Sequence, residues 1–199
     1  FDIGLGNGLR NKFALAIAKG NHELARVYVS TTYAMLSSIV MVILFLFYII
    51  NPFMNWNTIL NTGVNSGLQA ELSSLALIVF TFFSLNFILK LITTILIADQ
   101  KTALASVFDL LSKIISLSLI FILTKVSSGS LLYIGFVFSG VPVLVLLVSN
   151  VWFFGGKYNI YKPSMKFVDL SKAKDLLSIG VQFFIIQIAV ILLYQTNNI

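Results

Sequence analysis

The sequence predicts an all-α, polytopic integral membrane bundle, and three observations predict it. Of the 199 residues 58% are hydrophobic and only 10% charged, with a mean hydropathy of +0.98, so there is too little polar side chain to cover a water-exposed surface. Five apolar stretches each reach the roughly 20 residues that a helix needs to cross a hydrocarbon core. The strands of a membrane barrel would instead run about ten residues and alternate in polarity. Finally, lysine and arginine gather in alternate connections, as they do in multi-pass proteins.

Taken in chain order, residues Phe1 to Ala18 mix Gly4, Gly6 and Gly8 with Ala14, Ala16 and Ala18. They read as the end of a membrane helix that reaches water around Arg10 to Lys19, with Gly20-Asn21 as a turn. Small residues at such spacings favour close helix packing. A nucleotide loop is the weaker reading, because no strand precedes the glycines and no GK[ST] follows. The five predicted spans run from Tyr28 to Ile50, Leu72 to Ile97, Ala103 to Thr124, Leu131 to Phe154 and Leu176 to Ile199. The domain reading groups residues 1–154 as an N-terminal lobe, 155–175 as a basic linker and 176–199 as the first span of a second lobe. In the linker, Asp169 or Ser171 is placed to cap a short interfacial helix carrying Phe167, Leu170 and Leu176; an ordinary loop is the competing reading. The chain begins at Phe1 and stops at Ile199 inside an apolar run, which reads as a piece of a longer protein.

Charge gives the expected orientation. Arg10, Lys12, Lys19, Arg26, Lys101, Lys157, Lys162, Lys166, Lys172 and Lys174 fall on one side, against Lys125 alone beside the turn at Ser127 to Ser130. The basic side is therefore expected to be cytoplasmic, with loops 10–27 and 155–175 there and loop 51–71 periplasmic or external. Tyr28, Tyr33, Tyr48, Trp56, Trp152 and Tyr158 lie near segment ends, where interfacial anchors belong. The net charge of +6 is read as topology, and a nucleic-acid partner is not expected.

Lys90 and Lys113 lie inside apolar segments. Lys90 shares a helical face with Asn86, Thr93 and Thr94, and Ser106, Asp109, Lys113 and Ser116 follow at intervals of three, four and three. A charge at the bilayer centre costs at least ~2.5 kcal/mol, so it normally faces a wet cavity or a packed interior. Two readings stand: the stripes line a polar cavity, or Lys90 snorkels to headgroups while Asp109 and Lys113 form a packing ion pair. Cations in a cavity favour an anionic solute, a phosphate or diphosphate headgroup above all, and Arg10 either adds to that field or serves only topology. Gln187, Tyr194 and Asn198 share a face of the last segment, suited to interhelical hydrogen bonds or to a site lining.

With no Cys and only His22, no thiol nucleophile, disulfide or His-based metal site is expected, and neither a metal nor a cofactor is expected. No carboxylate pair or nucleophile with its base stands out, so an enzyme such as a membrane glycan polymerase or acyltransferase is the weaker reading. A structural membrane subunit is a third.

The opening FDIGLGNGLRNKFALAIAKGNHELAR, Phe1 to Arg26, resembles the end of the second membrane helix and following loop of bacterial polysaccharide flippases. These are the O-antigen and lipid-linked oligosaccharide exporters of the multidrug/oligosaccharidyl-lipid/polysaccharide superfamily. The closing DLLSIGVQFFIIQIAVILLYQTNNI, Asp175 to Ile199, is similar to the helix that opens their second lobe. The resemblance implies a MATE-like transporter lobe in the bacterial inner membrane. It implies transport of an undecaprenyl-diphosphate-linked oligosaccharide between leaflets by alternating access, with H+ or Na+ as a coupling ion and glycan-assembly proteins as partners. Lys90, Lys113 and Arg10 would then meet the diphosphate, Asn86 and Gln187 would line the path, and Asp109 would set the local field or couple an ion. A drug or cation antiporter of the same fold is the alternative, though it would call for unpaired membrane carboxylates, and Asp109 stands beside a lysine.

Overall fold

A computed structural model describes residues 4–62, 66–126 and 130–196. The described residues are helical without strands: α1 (Leu5–Ala18), α2 (His22–Ile50), α3 (Trp56–Ile59), α4 (Ser66–Leu89), α5 (Leu91–Ala98), α6 (Thr102–Val126), α7 (Leu131–Gly155) and α8 (Ala173–Thr196). Five helical stretches are long and apolar enough to cross a membrane, with α4 and α5 counted as one. The five predicted spans are thus present. Asn198, residues 127–129 of the predicted turn and residues 63–65 of the connection expected to be external lie outside the described residues.

The helix boundaries have local causes. Gly20, at φ 69°, ends α1 in a left-handed turn that accepts no Cβ cheaply. Its N–H donates to the Ile17 carbonyl and that of Asn21 to Ala16, so the last carbonyls of the helix are satisfied. The Asn21 side chain then accepts from the N–H of Leu24 at 2.9 Å. This cap starts α2 at His22, six residues before the apolar run at Tyr28. Gln100, at φ 59°, closes α5 in the same way, with its N–H on Ile97 and that of Lys101 on Leu96.

The second predicted span is not one uninterrupted helix. It breaks at Lys90, where the Leu89 carbonyl accepts a hydrogen bond from the Asn150 side chain at 2.8 Å. A side-chain donor inserted into the carbonyl ladder is a recognised cause of such breaks. The short interfacial helix expected in the linker does not form as an α-helix either. Three short 3-10 turns, Asn159–Tyr161, Met165–Phe167 and Leu170–Lys172, take its place, and Asp169 caps the last by accepting from the N–H of Ser171 at 2.9 Å. Pro163 and the extended backbone at Ser164 and Val168 prevent these turns from merging. Leu176, expected to face lipid, is fully buried.

The chain forms two compact units, each assembled from separated stretches. One contains residues up to 37, 91–105 and from 151 onward. Here α1 packs against α8 and α5. Leu5, Leu9, Phe13 and Ala16 recur every three or four residues, so they form one face of α1, and all are buried. Gly4 and Gly8 bring α1 against the backbone of α8 at Gly180 and Leu176, where an added Cβ would overlap main-chain atoms. Close packing, the sequence-based reading of these glycines, is what Gly4 and Gly8 do in this unit. Tyr28 and Tyr158, expected as interfacial anchors, are buried, whereas Trp152 is exposed.

The corner between α5 and α6 is tied to the chain after α7. Tyr158 donates its hydroxyl to Asp99 at 2.5 Å and accepts from the Lys101 ammonium at 2.7 Å, while Lys101 also pairs with Asp99. Burial pushes the Tyr158 pKa up to about 12, helped by the Asp99 carboxylate. Burial opposes ionisation of Asp99, but hydrogen bonds from Lys101 and Tyr158 outweigh it and hold the carboxyl below its ordinary range. For Lys101, too, burial works against the charge, and the bonds to Asp99 and Tyr158 overcome it to raise its pKa. A lowered Asp99 pKa stabilises the fold above the unfolded value near ~4 and loses that contribution as pH falls through the folded one. The raised Lys101 and Tyr158 values act oppositely, stabilising below roughly pH 10 and fading above it. Thermal unfolding in detergent should therefore show a midpoint plateau between about pH 5 and 10. Asp99→Asn should flatten the acid limb, and Tyr158→Phe should cost about 1–2 kcal/mol on the plateau.

The second unit contains residues 38–90 and 106–150. Phe47 stacks on Phe80 with ring centres 3.9 Å apart, and Phe82 meets Phe136 edge-on at 5.1 Å. Asn51, almost fully buried, accepts from the Trp56 indole at 3.0 Å and donates to the Ser73 hydroxyl at 2.9 Å. Gln69 donates to the Met54 carbonyl and accepts from the N–H of Asn57. These bonds fold the connection between α2 and α4 onto the start of α4. The Asn51 and Gln69 amides are thus paired, as the low dielectric demands of buried polar groups.

Candidate functional site

Within the second unit, α4, α6 and α7 enclose an open cavity of about 600 Å³. Its walls are mostly apolar, with Phe83, Leu117, Phe138 and Pro142 among them. Its polar edge comes from Asn86 on α4, Asp109, Ser112, Lys113 and Ser116 on α6, and Ser139 on α7. The intervals of three and four between Asp109, Ser112 and Ser116 put them on one helical face, and Lys113 lies one turn after Asp109.

Lys113 donates to Asp109 Oδ2 at 2.5 Å, so the two charges neutralise each other. Both side chains remain about 70% exposed within the protein, at 71% for Lys113 and 68% for Asp109. They are therefore available to a ligand and are not consumed in core packing. The serines divide into two kinds. Ser112 donates back to the Phe108 carbonyl at 2.6 Å and Ser139 to Gly135 at 2.5 Å, which satisfies them within their own helices. Ser116 is 7% exposed, and its hydroxyl oxygen has no hydrogen-bond partner among the described residues. An unpaired buried hydroxyl costs about 1–3 kcal/mol, so it marks a place where a ligand or water gains by binding.

The structure thus gathers Asn86, Asp109 and Lys113 around one cavity. Lys90 belongs to the same unit but sits exposed at the α4–α5 break, outside the lining. Arg10, exposed on α1, and Gln187, on α8 with a buried and unpartnered Oε1, belong to the first unit. The predicted stripe through Lys90 is divided by the break, because Thr93 and Thr94 fall in the first unit. Ser112 was missed in sequence, although its spacing from Asp109 and Ser116 puts it on their face and could have found it. Ser139 and Pro142 were not, because nothing in α7 distinguishes that face from its others. Among the described residues no three His, Asp or Glu side chains gather to hold a metal ion.

Many apolar side chains on the spanning helices are exposed, among them Met41, Phe45, Leu117, Val151 and Leu193. Helices this apolar on nearly every face need lipid or further helices around them, as in a multi-pass membrane protein. No family model, no curated protein and no solved structure matches the chain.

Proposed function

We propose that this chain is part of a membrane transporter whose substrate presents an anionic headgroup to Lys113. The observation that carries the reading is the cavity among α4, α6 and α7, with the Asp109–Lys113 pair on its edge and the unpartnered Ser116 hydroxyl in its wall. A phosphate oxygen competes with Asp109 for the Lys113 ammonium and offers Ser116 an acceptor. The apolar remainder of the cavity suits the lipid part of an amphiphile. Once Lys113 turns to the ligand, Asp109 carries an uncompensated charge among membrane helices, which uptake of H+ or Na+ relieves. That exchange links headgroup binding to a coupling ion.

The resemblance at Phe1 to Arg26 and Asp175 to Ile199 supplies the finer reading. The transporter is a MATE-like flippase that moves an undecaprenyl-diphosphate-linked oligosaccharide across the bacterial inner membrane, and no chemical step is required of it. A cation antiporter is the second reading, favoured by the aromatic walls at Phe83 and Phe138 beside the Asp109 carboxylate.

Initial rates in proteoliposomes containing the full-length protein separate the two. For a fluorescent polyprenyl-diphosphate glycan, Lys113→Gln should lower the rate about tenfold or more, the worth of one charge-assisted bond, while Asp109→Asn retains headgroup binding. If transport of an aromatic cation depends on Asp109 and survives Lys113→Gln, the cation reading replaces the first.

A further inference from the structure

The segment joining α7 to α8 is pinned along one side and studded with apolar side chains that stay exposed among the described residues. From within, Tyr161 meets His22 Nδ1 at 2.6 Å and the Ser164 N–H donates to the Ser30 hydroxyl at 3.1 Å. Thr31 and the Asp169 main chain exchange two hydrogen bonds, at 3.0 and 3.3 Å. Arg26 donates to the Lys162 carbonyl and lies 4.1 Å from the centre of the Phe167 ring. Ser30 and Thr31 are buried, so these are internal fastenings, and they hold the backbone in place.

Against that fixed backbone, each 3-10 turn keeps one large apolar residue exposed: Ile160 at 55%, Met165 at 84% and Leu170 at 72%. They recur every five residues. Beside them stand the exposed lysines Lys157, Lys162, Lys166 and Lys174. The acidic groups nearby are Asp99, already held by Lys101 and Tyr158, Asp169, which accepts from the N–H of Ser171, and Asp175 in the first turn of α8. The strap is therefore cationic and apolar at once. It also leaves α7 and joins α8 at the ends of two membrane-spanning helices, which places it at headgroup level, and exposed Trp152 marks the same level one turn earlier.

We propose that this strap is a binding surface for anionic lipid: Ile160, Met165 and Leu170 insert beneath the headgroups, and the lysines engage lipid phosphates. The inference is independent of what the transporter carries. Because the strap also fastens α2 and leads into α8, its seat on the bilayer fixes how α8 leaves the surface.

These residues include no cysteine, so Ile160→Cys, Met165→Cys and Leu170→Cys, each made in a background otherwise without cysteine, accept a single bimane. The full-length protein in nanodiscs, with or without phosphatidylglycerol, is then exposed to doxyl-labelled lipid or to aqueous iodide. Lipid quenching should exceed iodide quenching at all three positions in phosphatidylglycerol. It should fall about twofold or more in phosphatidylcholine alone or after Lys162, Lys166 and Lys174 are changed together to Gln, since each cation near an anionic surface strengthens binding about fivefold. Free access of iodide without lipid quenching overturns the proposal. So does equal lipid quenching in both compositions, and so does shielding from both quenchers, which would indicate a protein on the strap.

Discussion

Gly8→Leu is expected to separate α1 from α8 and to prevent the first unit from assembling. Even the first added carbon would overlap the Leu176 carbonyl, a backbone atom that cannot rotate away as a side-chain tip can. At Gly180 a Cβ would come within 2.8 Å of the Gly4 carbonyl, so neither helix has room to yield. Between helices in lipid the attraction is close packing rather than release of water, and pushing the backbones apart removes it directly. Overpacking of this kind costs typically ~1–3 kcal/mol for a small group and more for a leucine, a large part of a membrane domain's stability. Gly155→Ala is the control, because a Cβ there meets nothing within 4 Å. Detergent-solubilised Gly8→Leu should lose its cooperative thermal transition while Gly155→Ala keeps the wild-type midpoint.

The second large effect concerns the Asp109–Lys113 pair. In water an exposed pair one helical turn apart contributes only ~0.3–0.5 kcal/mol. Among membrane helices each charge alone costs ~2.5–3.5 kcal/mol, so removing one partner leaves that penalty on the other. Lys113→Ala should therefore reduce both the folded yield and transport, whereas Asp109→Asn with Lys113→Gln together should restore yield without restoring transport. The exchanged pair, Asp109→Lys with Lys113→Asp, should also regain yield. Measuring yield by size-exclusion chromatography beside transport separates the structural role of the pair from its role toward substrate.

Much of the fold was legible because membrane helices obey a length rule: five apolar runs became five long helical stretches. The break at Lys90 was not, since it depends on Asn150 reaching Leu89 from sixty-one positions away, and no local pattern announces that bond. The corner built by Asp99, Lys101 and Tyr158 was hidden for the same reason, although Lys101 had been noted as a charge and Tyr158 as an anchor. At the cavity, helical periodicity sufficed for Asp109, Lys113 and Ser116 because they occupy successive turns of one helix. Their meeting with Asn86 is a tertiary event, and so is the contribution of Ser139. Leu176 was misread because apolarity alone does not distinguish a lipid-facing leucine from one buried where its helix meets α1. In the linker, the amphipathic composition was visible, but buried Ser30 and Thr31 select 3-10 turns over a continuous helix.

The central claim is that an anionic headgroup occupies the cavity beside Lys113, and site protection tests it most directly. In a background otherwise without cysteine, Ser139→Cys places a single thiol in the α7 wall of that cavity. A polyprenyl diphosphate added to the full-length protein in nanodiscs should slow its reaction with a maleimide about tenfold at saturation, and that protection should disappear with Lys113→Gln. Unchanged labelling in the presence of the diphosphate, or protection that persists without Lys113, would contradict the account.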